Sequence, residues 1–119
     1  MSYLILLMKK SNPLQEIEKL AGGDKQTKKE LIRIFIHQTS QRVTEMNSYM
    51  QSNDWDELKR TAHKMKSSFL YLNMARPIEL TDFLMETSGI DIKTTAKHIN
   101  ELSVICLQVI SELKSDTIK

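Results

Sequence analysis

Residues 55–73 read WDELKRTAHKMKSSFLYLN, and the recurrence of their apolar side chains decides what this chain folds into. Trp55, Leu58, Ala62, Met65, Phe69 and Leu72 follow one another at steps of three and four residues. That alternation tracks one face of a helix with 3.6 residues per turn; a half-buried strand would alternate at every second residue. Ser52-Asn53-Asp54 ahead of it supplies a turn and a cap, and Asn73 behind it tolerates the left-handed backbone that ends a helix. An amphipathic helix of this kind needs neighbours against which to bury its stripe.

The rest of the chain supplies them. Asn12-Pro13 is a cap and first-turn pair, and Leu14, Ile17 and Leu20 or Ala21 repeat at helical spacing before Gly22-Gly23 stops the element. Asp24 caps a second helix without Gly or Pro from Lys25 to Gln51, with Leu31, Phe35, Thr39, Val43, Met46 and Met50 as its stripe. After Asn73, Arg76-Pro77 starts a helix carrying Leu80 and Phe83 or Leu84, and Thr87-Ser88-Gly89 stops it. The last helix runs from Asp91 with Ile92, Ala96, Ile99, Leu102, Cys106, Val109 and Leu113 on one face. The expected fold is therefore all-α, an antiparallel four-helix bundle with a short extra N-terminal helix.

Composition agrees. Three Gly and two Pro in 119 residues leave few turns, and the length suits one domain, assigned to residues 12–119. A formal charge of +2 is too small to argue for nucleic acid, and no nucleic-acid motif is present. A single cysteine, Cys106, excludes an internal disulfide, fits a reducing, cytoplasmic setting and falls on an apolar face as an inert thiol. Residues 1–11, opening MSYLILLMKK, form an apolar extension far shorter than the ~20 residues of a membrane span, so no membrane insertion is expected. They lack the layout of a signal peptide. A strand or helical turn packed on the domain and the remnant of a junction to another domain both fit this extension.

The same 55–73 helix carries the candidate chemistry. His63 lies roughly 100° round from Ala62, outside the buried stripe, and is expected to be exposed. Its surface neighbours three and four residues away are Lys59, Arg60, Lys66 and Ser67, three cations and one small residue. An exposed histidine among charges is usually a solvated side chain. The sharper reading is a nucleophile: a neutral imidazole keeps a lone pair available for attack, and nearby lysines neutralise an incoming phosphoryl group. A metal ligand set is disfavoured, because His37 and His98 lie on other helices and no H-x-x-x-H or E-x-x-H pair exists.

At AHKMKSS, residues 62–68, the chain resembles the histidine phosphotransfer (HPt) family, whose pattern is A-H-x-[LM]-K-G-[SA]-[SA] followed by L-G. Ala62, His63, Met65, Lys66 and Ser68 match; Ser67 replaces the glycine, and Leu72-Asn73 stands for Leu-Gly. Leu-Ala-Gly-Gly-Asp at 20–24, Phe35, and Asn53, Asp54, Trp55 and Leu58 extend the likeness over roughly residues 12–113. The resemblance implies that His63 is the phosphoacceptor, that Lys66 steadies the phosphoryl oxygens, and that Ser67 keeps the site open with a hydroxyl able to donate. It also implies a polar residue on the next helix near the histidine, at Met85 or Glu86 by counting. Lys59 and Arg60, one turn N-terminal of the histidine, are expected to attract an acidic partner face, and with Leu70 to form the docking surface.

The implied activity is phosphoryl carriage without autonomous kinase activity: His63 accepts the group from a receiver-domain phospho-aspartate and passes it to another receiver. The implied partners are receiver domains of response regulators or of a hybrid sensor kinase; a free-standing cytoplasmic protein and the cytoplasmic C-terminal domain of such a kinase both fit this chain. No cofactor of its own is expected, Mg²⁺ belonging to the receiver, and the domain is expected to be monomeric. The competing class is a helical interaction module that binds a partner without phosphorylation.

Overall fold

The computed structural model describes residues 12–118, so the apolar opening 1–11 lies outside the described residues. Five helices follow in order: α1 Pro13–Ala21, α2 Lys25–Gln51, α3 Trp55–Tyr71, α4 Ala75–Thr87 and α5 Ile92–Ile118. Among the described residues there is no strand. Each of α2 to α5 packs on the next, and α5 closes the ring against α2. With connections of only a few residues, consecutive helices run antiparallel. The expected bundle and its short leading helix are both present.

Local chemistry sets the boundaries. The Asn12 side chain accepts from the Gln15 N–H at 3.2 Å, and Asp24 accepts from the Gln26 N–H at 3.1 Å and the Thr27 hydroxyl at 2.8 Å. Asp54 caps α3 and Asp91 caps α5 in the same way. The C-termini of α2 and α3 share one stop. Asn53 (φ 57°) and Asn73 (φ 52°) are left-handed, as expected for Asn73. The amides after them reach back to carbonyls five residues earlier, Asp54 to Tyr49 at 2.9 Å and Met74 to Phe69 at 3.0 Å. Those are Schellman stops built on asparagine instead of glycine.

The core lies on the axis of the ring, with Leu58, Ala62, Met65, Phe69 and Leu72 of α3 all buried; Trp55 is half-buried at its end. Two stripes differ from expectation. In α2, Ile32 is buried while Leu31, Val43 and Met50 are half-buried. In α5, Ile92 is 57% exposed and Ala96 is exposed, whereas Thr95 is buried. Thr95 is tolerated there because its hydroxyl donates to the Asp91 and Thr87 carbonyls, at 2.7 and 3.2 Å. In α1 it is Ala21, not Leu20, that faces the core, and α4 begins at Ala75, ahead of Arg76-Pro77.

Helices α2 and α5, at 27 residues each, are longer than α3 (17 residues) and α4 (13 residues). Helix α1 packs on α2, and Lys28 ties Glu18 of α1 at 3.2 Å to Asp116 of α5 at 3.1 Å. Across α4 and α5, Arg76 forms a two-pronged pair with Glu101, at 2.5 and 2.9 Å. Cys106 is fully buried, and burial pushes its thiol up to about 12, the inert thiol expected. No described helix is long and apolar enough to cross a membrane.

Candidate functional site

The middle of α3 has its orientation fixed from below. Ala62 and Met65 are buried on either side of His63 in sequence, so the backbone of this turn cannot rotate without unpacking the core. His63 is consequently exposed, and its ring has no hydrogen bond or ion pair among the described residues. Ser67 and Leu70 stand four and seven residues on, along the same outward face, both exposed, with Leu70 at 53%. Nothing bulky covers the histidine on that side of its own helix.

The cations divide into two groups. Lys66 turns towards α4, where its Nζ lies 2.7 Å from Oδ1 of Asp82. Arg60 is paired with Glu57 one turn earlier on α3. Lys59, half-buried, and Lys64, exposed, carry no such partner among the described residues. The patch is therefore less positive than the linear sequence implies, because two of the three expected cations arrive with a carboxylate attached.

On its other flank α3 meets α2 in a small cleft of about 50 Å³, lined by Gln38, Thr39, Arg42, Lys64, Met65, Ser68 and Phe69. Beyond Ser68, the end of α3 exposes Leu70 and Tyr71, the latter at 72%. His63 thus sits on the crest of α3, between a seam to α4 holding Lys66 and a seam to α2 holding Lys64.

The polar residue expected from α4 is placed differently. Met85 is half-buried and packs on the core, and Glu86 is exposed. The α4 side chain that reaches this turn of α3 is Asp82, one turn earlier. Sequence reasoning missed it, since its approach depends on the rotation of α4 about its own axis. The other two histidines lie on other helices: His98 of α5 stacks on Phe83 with centroids 5.1 Å apart, and His37 is exposed on α2. Among the described residues no three His, Cys, Asp or Glu side chains gather as a metal-ligand group.

A scan against family models matches the Hpt domain over residues 30–102, which is more than half of the chain. That span takes in most of α2, all of α3 and α4, and the start of α5, including His63 and every residue around it described above. Comparison with curated proteins and with solved structures finds no match. An exposed helical histidine on a four-helix bundle and the family model agree: the chain belongs to the histidine phosphotransfer (Hpt) domain family, whose members carry phosphoryl groups in phosphorelays and are not kinases.

Proposed function

We propose that this protein accepts a phosphoryl group from the phospho-aspartate of one receiver domain onto His63 and delivers it to the aspartate of another. The observation that carries this reading is the unpartnered, exposed imidazole of His63 on a well-packed helix, one turn from Lys66. In the accepting step the lone pair of the neutral imidazole attacks phosphorus in line. A P–N bond forms and the P–O bond to the receiver's aspartate breaks. The aspartate leaves as a carboxylate, and the other ring nitrogen keeps its proton, so the total charge of minus two is unchanged. Delivery is the same exchange in reverse, with a different carboxylate.

Such transfer rests on positioning and on charge stabilisation of the equatorial oxygens. Lys66 provides a charge-assisted hydrogen bond to them. Ser67, small and exposed, leaves room for the receiver one turn beyond the histidine, and its hydroxyl is able to donate. Lys59, Arg60 and Leu70 contribute to docking: the two cations attract an acidic receiver face, and Leu70 offers an apolar contact. Mg²⁺ and the acidic residues that hold it come with the receiver. The partners are receivers of response regulators or of a hybrid sensor kinase, in a cytoplasmic setting that suits the lone buried thiol.

The test is a labelled transfer. A receiver charged with radioactive phosphate should label the protein, and a second, uncharged receiver should then chase that label away. Transfer that persists in His63→Gln refutes the assignment. Binding of receivers that is unaltered in His63→Gln, with no label on the wild type, would point to the non-phosphorylated interaction module instead.

A further inference from the structure

The Lys66 ammonium is not held by its own helix. Several other pairs join residues three apart on one helix, such as Arg60 with Glu57 and Arg42 with Glu45. Lys66 instead crosses to α4, and among the described residues its 2.7 Å contact with Asp82 is the ion pair joining α3 to α4. Both backbones are fixed where the pair forms. Met65 precedes Lys66 in the core, and Leu80, Thr81 and Leu84 around Asp82 are all 0% exposed. The Thr81 hydroxyl also donates to the Ile78 carbonyl at 2.8 Å. The carboxylate is thus presented from a rigid turn, not from a mobile arm.

We infer that Asp82 is a positioning residue for the proposed phosphoryl transfer, holding the Lys66 ammonium extended along the α3–α4 seam where it serves the phosphoryl group on His63. The inference rests on the functional reading above. An ammonium has three donors, and one satisfied by Asp82 leaves two for phosphoryl oxygens. A lysine that swings freely loses rotamer freedom on reaching the phosphoryl group, whereas one already held across the seam has lost it beforehand. Asp82 touches neither reacting atom. It acts through Lys66, and its contribution should vanish when Lys66 is absent.

The size of the effect follows from exposure. The Lys66 side chain is 30% exposed and that of Asp82 is 42% exposed, so the pair is screened by water and weak. An exposed pair of that strength corresponds to a change of at most about fivefold in rate, and a change of about threefold to fivefold is its upper range. The experiment is a double-mutant cycle on the intact chain. Asp82→Ala and Asp82→Glu are made in the wild type and in Lys66→Ala, and transfer from a phosphorylated receiver is timed by rapid quench at several receiver concentrations. Circular dichroism confirms that each variant is folded.

Asp82→Ala is expected to slow transfer about threefold to fivefold at saturating receiver with the half-saturating concentration unchanged, Asp82→Glu to recover most of the rate, and Asp82→Ala to cost nothing further in Lys66→Ala. An equal loss in both backgrounds, or no loss in either, overturns the inference. Faster transfer in Asp82→Ala overturns it too, because the carboxylate would then be a competitor for the ammonium. His63-dependent transfer without Lys66–Asp82 coupling defeats this inference alone, whereas label on His63→Gln defeats the functional reading as well.

Discussion

Replacing Phe69 by alanine tests whether the correct face of α3 points inward. Phe69 is 1% exposed and packs within the shared core of the bundle. Burying a phenylalanine and then truncating it typically costs about 3–5 kcal/mol, from lost transfer energy and from the cavity left behind. Phe69 also lines the cleft between α2 and α3, so the vacated space opens onto a groove that water reaches. That relief places the cost near the lower end, about 3 kcal/mol. For a domain of this size each kcal/mol moves the midpoint by about 4 °C, giving a fall of about 12 °C in Tm. The neighbouring Leu70 is 53% exposed, so Leu70→Ala should stay within about 0.5 kcal/mol of wild type. Urea titration and thermal melts of both variants supply the comparison. Equal losses for the two, or a Tm for Phe69→Ala within about 2 °C of wild type, would mean that the burial assigned to α3 is wrong.

The cations around His63 should separate by role: Lys66→Ala lowers the transfer rate at saturating receiver about tenfold, while Lys59→Ala weakens association, most visibly at low salt. Rapid-quench transfer across receiver concentrations distinguishes rate from affinity. At the α4–α5 turn, Gly89 has φ +84°, and a Cβ there would meet Trp55 Cγ at 3.0 Å. Gly89→Ala should therefore destabilise by about 1–2 kcal/mol and shift the emission of the single tryptophan. Acid stability has a defined sign. The hydrogen bond from Arg76 holds the Glu101 carboxyl below its ordinary 4.5, so that contribution is complete above pH 4.5 and is lost as pH falls through the lowered folded value. Glu101→Gln should flatten the acid limb of a stability–pH curve below 4.5 and leave its slope near neutrality alone.

Helix α3 was legible in the sequence because the bundle surrounds its inner face: the stripe from Leu58 to Leu72 is apolar and every member is buried. Helix α2 was harder, since apolar residues crowd positions 31, 32, 34, 35 and 36, and periodicity alone does not choose Ile32 over Leu31. In α5 the eye is drawn to Ile92 and Ala96. Thr95 takes the buried place because two backbone carbonyls accept from its hydroxyl, a compensation that an apolar pattern does not register. The site divides in the same manner. Exposure of His63, Ser67 and Leu70 follows from their angle to the stripe on one helix. The partnership of Lys66 with Asp82 spans two helices and depends on how α4 rotates against α3, so counting along the chain arrived one turn late at Met85 and Glu86.

Phosphorus NMR of the charged protein shows whether one imidazole carries the phosphoryl group. After incubation with a phosphorylated receiver, a single phosphoramidate resonance is expected, one that survives base and disappears in acid. It should be absent from His63→Gln, whose circular dichroism should match the wild type. A resonance that persists in His63→Gln, or that maps to His37 or His98, would mean that His63 is not the phosphoacceptor.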